Sequence, residues 1–258
     1  MIDIHTHILS EVDDGARSLD ESIEMCRASA ADGVRVMVAT PHASDGIHHT
    51  HAPDFLLQKV DELNKLLNGD PKIMLGCELR FTHELVKQIC ETRDAPAIAG
   101  GPYTLVEFPH AVVPAGSERL LFELMSNRVT PIIAHPERNF MLMSEPERFY
   151  EMVSAGVLGQ MDTGSIMGQF GKKVQQAARV MLESGLIHFI ASDCHNMRNR
   201  LPGMSAAVAA TAEIVGEEYA RAIAEANPLA VVEGEPISSR PDPTVPPKKK
   251  RWSLFGRK

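Results

Sequence analysis

Seven short apolar runs recur along the chain, separated by turns and by segments with helical spacing. They are Ile2 to Ile4, Val34 to Ala39, Ile73 to Leu75, Thr104 to Val106, Pro131 to Ala134, Val157 to Met161 and Leu186 to Ala191. Strands that alternate with helices pair in parallel, so this pattern predicts an α/β fold, either a closed barrel or an open doubly wound sheet. Because polar residues follow nearly every run, we favour a distorted (β/α)7-type barrel with its functional residues at the carboxyl ends of the strands.

The remaining segments indicate one domain and a tail. Helical spacing of apolar residues is visible at Leu19, Ile23 and Cys26, and in the segments Phe55 to Leu67, Leu120 to Met125, Phe149 to Val153 and Val174 to Leu182. A chain of 258 residues, 44% of them hydrophobic, can bury one substantial core. After residue 232 the sequence becomes proline-rich and then basic, so we predict a domain over residues 1–232 and a linker with a basic tail over residues 233–258.

Charge and cysteine content exclude several classes of protein. The formal net charge of −8 offers no general attraction for nucleic acid, and no run approaches the ~18 uncharged apolar residues of a membrane span. The amino terminus lacks the basic and apolar regions of an export signal, and the four cysteines are widely separated. We therefore expect a soluble cytoplasmic protein with reduced thiols.

Residues that commonly bind metals follow six of the seven apolar runs. Alternate side chains of a strand share a face, so His5 and His7 can both reach one ion. Further residues of this kind follow the first and later runs: Asp13, Asp14, His42, Glu78, Glu107, His135, Asp193 and His195. Since the carboxyl ends of parallel strands meet at one edge, we predict one polynuclear metal site there.

The ligand types narrow the choice of metal. Imidazole and carboxylate without thiolate suit manganese, iron or zinc in a hydrolytic site. In two-metal sites the cations lie ~3.5–4 Å apart, and a bridging carboxylate is the usual way to hold them without prohibitive repulsion. Glu78 is our candidate for that bridge.

Two arginines follow predicted ligands closely enough to reach a phosphate that the metals hold. Arg138 lies three residues after His135, and Arg200 lies five residues after His195. A guanidinium group can donate to two phosphate oxygens at once, so both are candidate phosphate contacts. A surface ion pair is the alternative for each.

Five stretches occur in order along the chain: Asp3-Ile4-His5-Thr6-His7, Asp13-Asp14-Gly15-Ala16, Ala39-Thr40-Pro41-His42, Ala134-His135-Pro136-Glu137-Arg138 and Ala191-Ser192-Asp193-Cys194-His195. Together they resemble the polymerase-and-histidinol-phosphatase (PHP) superfamily. Within it, the chain is similar to the bacterial protein-tyrosine phosphatases of capsule and exopolysaccharide operons, the CpsB/YwqE type. The resemblance covers roughly residues 1 to 230 and rests on several ordered motifs.

The resemblance implies a distorted α/β barrel with three divalent metal ions, for which manganese is our first choice. Carried over by position, it assigns one ion to His5, His7, Glu78 and Asp193, a second to Glu78, Glu107 and His135, and a third to Asp14, His42 and His195. It also gives Arg138 and Arg200 a phosphate-binding role. Two alternatives stay open, namely Asp13 in place of Asp14 and His110 in place of Glu107.

The resemblance further implies hydrolysis of phosphotyrosine on a bacterial tyrosine kinase that controls polysaccharide polymerisation and export. Two other functions stay open: hydrolysis of a small substrate such as histidinol phosphate or a nucleotide, and regulatory phosphate binding without turnover. A thiol mechanism is a further alternative, because five residues separate Cys194 from Arg200. It is disfavoured because those five residues include no glycine and because Asp193 opposes thiolate formation.

The basic tail combines positive charge with bulky apolar groups. Its run from Lys248 to Arg251 precedes Trp252, Leu254 and Phe255. Such a segment can bind an anionic membrane surface weakly and reversibly. The alternative is a disordered, solubilising end that the prolines before it separate from the domain.

Overall fold

The computed structural model describes residues 1–43, 51–92 and 96–247 of the chain. The tail from Lys248 onward, for which a membrane contact and a disordered end are the two interpretations, lies outside these ranges. None of the helices in the described part of the chain has the length and apolar character needed to cross a membrane.

The described strands form two sheets, and every pairing between them is parallel. The strands are β1 Ile2–Thr6, β2 Val36–Ala39, β3 His42–Ala43, β4 Lys72–Leu75, β5 Glu78–Arg80, β6 Tyr103–Glu107, β7 Thr130–Ala134, β8 Leu158–Asp162 and β9 Phe189–Ala191. The first sheet has the order β1-β2-β4, and the second has the order β3-β5-β6-β7-β8-β9.

The described α-helices fill the segments between strands and the end of the domain. They are α1 Leu19–Ala31, α2 Pro53–Leu66, α3 His83–Thr92, α4 Ser117–Ser126, α5 Phe140–Ser144, α6 Pro146–Ser154, α7 Thr163–Ile166, α8 Lys172–Glu183, α9 Ser205–Val215, α10 Glu217–Arg221 and α11 Asn227–Glu233. Turns of 3-10 helix occupy Ile98–Gly100 and Pro136–Arg138, and a π-helical segment occupies Ala222–Ala226.

All seven predicted strands are present, and the expected α/β fold with parallel strands is confirmed. The strands β3 and β5 were not predicted, because two or three residues form no apolar run. After a short break in the chain, β3 extends the path of β2 and β5 extends the path of β4. At one break Gly76 passes so close to Val38 that an added Cβ would lie 2.8 Å from its Cγ1. The breaks allow His42 and Glu78 to begin strands of the second sheet, where they pair with each other in register.

The first and last strands approach each other at their carboxyl ends. The backbone N–H of Asp193 donates to the carbonyl of His5 at 2.9 Å, and that of His7 donates to the carbonyl of Cys194 at 2.9 Å. Residues after β9 are thereby held against the end of β1. This contact brings Asp193 beside His5 and His7.

Two clusters of buried apolar residues lie on the two faces of the sheets. The larger one is formed by strand residues such as Ile133 and Ile190 together with the helices. The smaller cluster, which we call the inner cluster, includes Leu105, Ile132, Leu158, Phe189 and Val231. Burial of each such side chain contributes about 1.5–3 kcal/mol relative to exposure.

The segment after α11 is hydrogen bonded to the domain. Tyr103 Oη donates to the carbonyl of Glu235 at 2.8 Å, Asn227 Nδ2 donates to that of Ser239 at 2.8 Å, and Thr244 N–H donates to that of Ser184 at 2.9 Å. A domain boundary at residue 232 stays a prediction, but residues 235–244 are in contact with the domain.

Candidate metal centre

Seven of the nine predicted metal ligands line one cavity of about 230 Å³ at the carboxyl ends of the strands, and the other two, His5 and His7, contact Glu78. Glu78 lies at its centre with 1% of its side chain exposed. Its Oε2 atom lies 3.3 Å from Nε2 of both His5 and His7 and 3.1 Å from Nδ1 of His42. Its Oε1 atom lies 3.1 Å from His135 Nε2. One buried carboxylate thus contacts four histidines from three separate parts of the sequence.

A first group of ligand atoms consists of His5, His7 and Asp193. The two imidazoles present their Nε2 atoms to each other at 3.3 Å, and Asp193 Oδ1 lies 3.4 Å from His5 Nε2 and 3.5 Å from His7 Nε2. Asp193 Oδ1 is buried and accepts no hydrogen bond from the described residues. A buried carboxylate oxygen without a donor, facing two imidazole nitrogens, is suited to a cation.

A second group consists of His7, Asp14, His42 and His195. Asp14 Oδ1 lies 3.5 Å from His42 Nε2 and 3.2 Å from His195 Nε2. Asp13 has a different position, since its Oδ2 atom lies 2.7 Å from His7 Nδ1 and accepts the backbone N–H of His42 at 3.0 Å. Asp13 therefore orients His7, whereas Asp14 faces the other histidines.

A third group consists of His42, Glu78 and Glu107. Glu107 Oε1 lies 3.9 Å from Nε2 of both His135 and His110. His110 is 55% exposed, whereas the side chain of Glu107 is 6% exposed. The buried carboxylate is therefore closer to the centre of the cluster than its rival.

The position of His135 depends on its backbone conformation. Ala134, the last residue of β7, belongs to the inner cluster, so regular alternation would direct the next side chain toward the outer layer. His135 instead has φ 32° and ψ 54°, in the left-handed region. This uncommon conformation turns its imidazole toward Glu78, and strand periodicity alone does not predict it.

Both predicted arginines line the cavity, and both contact Asp193. Arg138 Nη1 donates to Asp193 Oδ2 at 2.7 Å and to Asp162 Oδ2 at 2.6 Å. Arg200 Nη2 donates to Asp193 Oδ2, and its Nη1 lies 2.7 Å from His195 Nε2. With 16% of its side chain exposed, Arg138 does not form the surface ion pair considered as its alternative.

A third arginine in the cavity, Arg80, was missed by the sequence analysis. It lies two residues after Glu78 on β5, so the two side chains share a face. Its Nη1 atom donates to Glu107 Oε2 at 2.8 Å. The signal was the alternation in Glu78-Leu79-Arg80, which becomes informative once these residues are known to form a strand.

Burial opposes charge throughout this cluster, and groups of opposite charge outweigh it. Burial alone would lower the pKa of His5, but the carboxylates of Glu78 and Asp193 raise it above its usual value. Burial likewise opposes ionisation of Glu78, yet the surrounding imidazoles hold the pKa of its carboxyl well below the usual range. The metal-free cluster is therefore a set of buried ion pairs, in which imidazole protons occupy positions that compete with cations.

Cys194 is poorly placed for nucleophilic catalysis. Its side chain is fully buried and it does not line the cavity. Burial and the nearby Asp3 carboxylate raise the pKa of its thiol well above the usual range. A thiol that stays protonated is a poor nucleophile, which disfavours the thiol mechanism.

The donor atoms fit divalent metals. They are imidazole nitrogens and carboxylate oxygens without thiolate, arranged in three overlapping groups in which the ligand atoms lie within 4.8 Å of one another. Buried imidazole and carboxylate ligands at the ends of parallel strands, with arginines in the same cavity, are typical of metal-dependent hydrolases that act on anionic substrates.

The chain belongs to the CpsB/CapC family, described as capsular polysaccharide synthesis, which matches residues 1–233. It is 35% identical over 259 residues to the tyrosine-protein phosphatase YwqE of Bacillus subtilis (strain 168), covering 99% of each chain. The family inferred from the sequence motifs is therefore confirmed.

One solved structure agrees with this assignment, and a second shares the fold. A crystal structure described for YwqE from Bacillus subtilis and CpsB from Streptococcus pneumoniae, "unique metal-dependent tyrosine phosphatases", matches with a TM-score of 0.89 at 35% identity, covering 96% of this chain and 100% of that one. A histidinol phosphate phosphatase from Lactococcus lactis subsp. lactis matches with a TM-score of 0.51 at 13% identity, covering 74% of this chain and 85% of that one. The second match shows a likeness of fold alone.

Proposed function

We propose that this chain is a metal-dependent protein-tyrosine phosphatase that hydrolyses phosphotyrosine. The observation that carries the proposal is the buried Glu78 carboxylate, which contacts four histidines in a cavity that Arg138 and Arg200 also line. Membership of the CpsB/CapC family and the description of YwqE as a tyrosine-protein phosphatase support the substrate class.

The proposed site holds three divalent ions, with manganese favoured over iron or zinc. One ion is assigned to His5, His7, Glu78 and Asp193, a second to Glu78, Glu107 and His135, and a third to Asp14, His42 and His195. The contacts of Asp14 and Glu107 support choosing them over Asp13 and His110. When bound, divalent cations lower the pKa of a coordinated water toward ~7 and offset negative charge on phosphoryl oxygens.

Arg138 and Arg200 bind and orient the phosphoryl group in this proposal. Each guanidinium has five N–H donors and carries its charge at every physiological pH. Arg138 uses only Nη1 for its two carboxylates, and Nη1 and Nη2 of Arg200, which have two N–H groups each, contact one partner each. Both side chains therefore retain donors for the negatively charged phosphoryl oxygens of the substrate.

The proposed substrate is a phosphotyrosine on a bacterial tyrosine kinase that acts in capsule or exopolysaccharide synthesis. The description of the family as capsular polysaccharide synthesis supports this partner. We also propose that the contact between β1 and the end of β9 closes the sheets into a distorted barrel. The protein would act in the cytoplasm, with its basic tail contacting the inner face of the membrane.

Steady-state kinetics with defined metal content tests the function. The protein is stripped with a chelator, reconstituted with Mn²⁺, and compared on p-nitrophenyl phosphate, a phosphotyrosyl peptide and histidinol phosphate. We expect the highest kcat/KM for the phosphotyrosyl peptide. Without metal, we expect no hydrolysis of any of the three substrates. Preference for histidinol phosphate would indicate a small-molecule phosphatase, and no turnover of any substrate would indicate a binding module. Full activity in excess chelator would exclude the metal mechanism.

A further inference from the structure

The strand β8 lies between β7 and β9 in the second sheet and supplies no residue to the proposed ligand sets. Its polar residues Gln160 and Asp162 are nevertheless fully buried beside the metal centre. They lie two positions apart and so share a face with Leu158, which belongs to the inner cluster. Gln160 and Asp162 are not proposed ligands, so their burial beside the metal centre requires an explanation.

A continuous chain of hydrogen bonds runs through these two residues. Arg138 Nη1 donates to Asp162 Oδ2 at 2.6 Å, and Gln160 Nε2 donates to Asp162 Oδ1 at 3.1 Å. Gln160 Oε1 lies 2.9 Å from Nδ1 of His5. The chain therefore links a proposed phosphate contact to a proposed metal ligand through the interior of the protein.

Arg138, the first residue of this chain, determines which atom donates and which accepts in each hydrogen bond. A guanidinium only donates, so Asp162 accepts as a carboxylate. Gln160 must then turn its NH₂ group to Asp162 and its oxygen to His5. Since that oxygen can only accept, His5 carries a hydrogen on Nδ1. The electron pair for a metal is thereby reserved on Nε2, the atom that faces Glu78 and Asp193.

Arg138, at the start of the chain, is itself held from a further side. Its guanidinium carbon lies 4.6 Å from the centre of the Phe170 ring. A cation over an aromatic face is attracted to it. The orientation of Arg138 is therefore fixed by an aromatic ring as well as by the carboxylates of Asp162 and Asp193.

We propose that Gln160 and Asp162 are positioning residues, which fix the tautomer and ring orientation of His5 for metal binding and couple them to Arg138. The proposal rests on the proposed function, because it takes His5 as a metal ligand. Hydrogen-bond partners of this kind raise ligand basicity, and their loss typically lowers metal affinity about 10–100-fold.

The test is Mn²⁺ titration by calorimetry of the full-length protein and five variants. Gln160→Leu keeps the approximate size but removes both hydrogen bonds, and we expect a loss of about 10–100-fold at the tightest site. Asp162→Asn has only one oxygen. If the remaining oxygen at position 162 accepts from Arg138, the new NH₂ group at position 162 donates to Gln160. Gln160 must then turn its oxygen toward position 162 and its own NH₂ group toward His5, which opposes a hydrogen on Nδ1 of His5. We expect a similar loss.

The double variant distinguishes a relay from two separate effects. In Gln160→Leu with Asp162→Asn, affinity should equal that of Gln160→Leu alone, because the link to His5 is already broken. Additive losses would overturn the relay. Gln175→Leu is the control, since Gln175 donates to the Ile166 carbonyl outside the site, and it should bind Mn²⁺ as the unmodified protein does.

A spectroscopic measurement tests the tautomer directly. In the Zn²⁺-loaded protein, ¹H–¹⁵N correlation of imidazole groups should show a slowly exchanging Nδ1–H on His5, and Gln160→Leu should lose that protection. Its presence in both proteins would overturn the proposal. If Gln160→Leu does not fold in chelator, as judged by circular dichroism, the isosteric Asp162→Asn decides alone.

Titration of His5→Ala separates failure of this inference from failure of the proposed function. If His5→Ala loses the tightest site while Gln160→Leu binds normally, the relay is wrong and the metal centre stands. If His5→Ala also binds Mn²⁺ normally, the proposed ligand set is wrong.

Discussion

The inner face of strands β6, β8 and β9 has two parts with equal burial and opposite chemistry. Toward the amino ends lies an apolar half, defined by Leu105, Leu158 and Phe189. At and just beyond the carboxyl ends lies a polar half, defined by Glu78 of the neighbouring strand β5 together with Glu107, Gln160, Asp162 and Asp193. Every one of these residues is at most 4% exposed. Along a single strand, a step of two positions therefore leads from an ordinary core residue to a residue of the candidate metal centre.

This difference separates the source of stability from the source of function. Each large side chain of the apolar half contributes about 1.5–3 kcal/mol by leaving water. Charged groups of the polar half lose several kcal/mol of hydration on burial, and pairing offsets that loss only when the geometry is good. The apolar half should thus hold the fold without metal, whereas the polar half should need protons or cations to balance its charges.

Paired substitutions in the two halves should have the largest effects. Glu78→Gln removes the central charge at almost constant shape, and we expect kcat/KM on a phosphotyrosyl peptide to fall at least ~100-fold with loss of bound metal, because even supporting residues typically cost 10–100-fold. Leu105→Ala should instead lower the free energy of unfolding by about 2–5 kcal/mol. Its kcat at a temperature where it remains folded should be unchanged. Normal activity of Glu78→Gln would remove the proposed role of this carboxylate.

Arginine substitutions should reduce activity without emptying the metal sites at saturating Mn²⁺, because the link from Arg138 to His5 affects metal affinity and removes no ligand. Hydrogen bonds to charged groups contribute about 1.5–3 kcal/mol, so Arg138→Ala and Arg200→Ala should each lower kcat/KM roughly 10–150-fold. Arg198→Ala is the matched control, because this exposed neighbour does not line the cavity. Elemental analysis of bound metal is the deciding measurement. Loss of metal from both cavity variants would make these arginines structural supports.

The pH dependence of stability should differ between metal-free and metal-loaded protein. Burial opposes protonation, but carboxylate neighbours raise the pKa of His42 to about 10 and that of His135 to about 9, in the latter case also against Arg138. A histidine whose pKa is raised in the folded state stabilises the fold fully below its unfolded pKa of about 6.5. This stabilisation is lost as the pH rises through the folded-state pKa. The Tm in chelator should therefore fall between about pH 6.5 and 9.

Cations should remove that loss, because they bind the deprotonated imidazoles. The gain in Tm on adding Mn²⁺ should consequently increase from pH 6.5 to 9. Differential scanning calorimetry at matched ionic strength measures both series. A metal-free Tm that is flat across this range would mean that the polar half is not balanced by protonated histidines.

Truncations should have the smallest effects. Removing residues 248–258 should leave hydrolysis of p-nitrophenyl phosphate unchanged while weakening sedimentation with anionic vesicles, as added salt should also do. Ending the chain after Pro236 should in addition lower stability by about 0.5–1.5 kcal/mol for each lost hydrogen bond, such as that from Thr244 to Ser184. Equal sedimentation of full-length and shortened proteins at low salt would exclude a membrane role for the tail.

The comparison of the two halves also explains which features the sequence predicts. Apolar runs such as Leu186 to Ala191 predict strands because burial on both faces selects continuous apolar residues. Parallel pairing then brings the residues after each strand to one edge, which is why His5, Glu107 and Asp193 could be grouped without coordinates. The sequence motifs of the family also assign these residues to one site.

Other features depend on geometry that periodicity does not encode. The strand β5 is too short to produce an apolar run, so Arg80 could not be placed beside Glu107. Asp13 and Asp14 are adjacent and chemically identical, and only the turn that contains them decides which one faces His195. The left-handed conformation of His135 likewise depends on the surrounding packing.

Anomalous diffraction from crystals grown with Mn²⁺ tests the central claim most directly, since it locates the metal independently of activity. The account predicts strong anomalous peaks in the cavity, with Glu78 as a ligand shared by two ions and His5, His7 and Asp193 completing one coordination sphere. Ordered, catalytically active crystals with no manganese peak at Glu78 would contradict it.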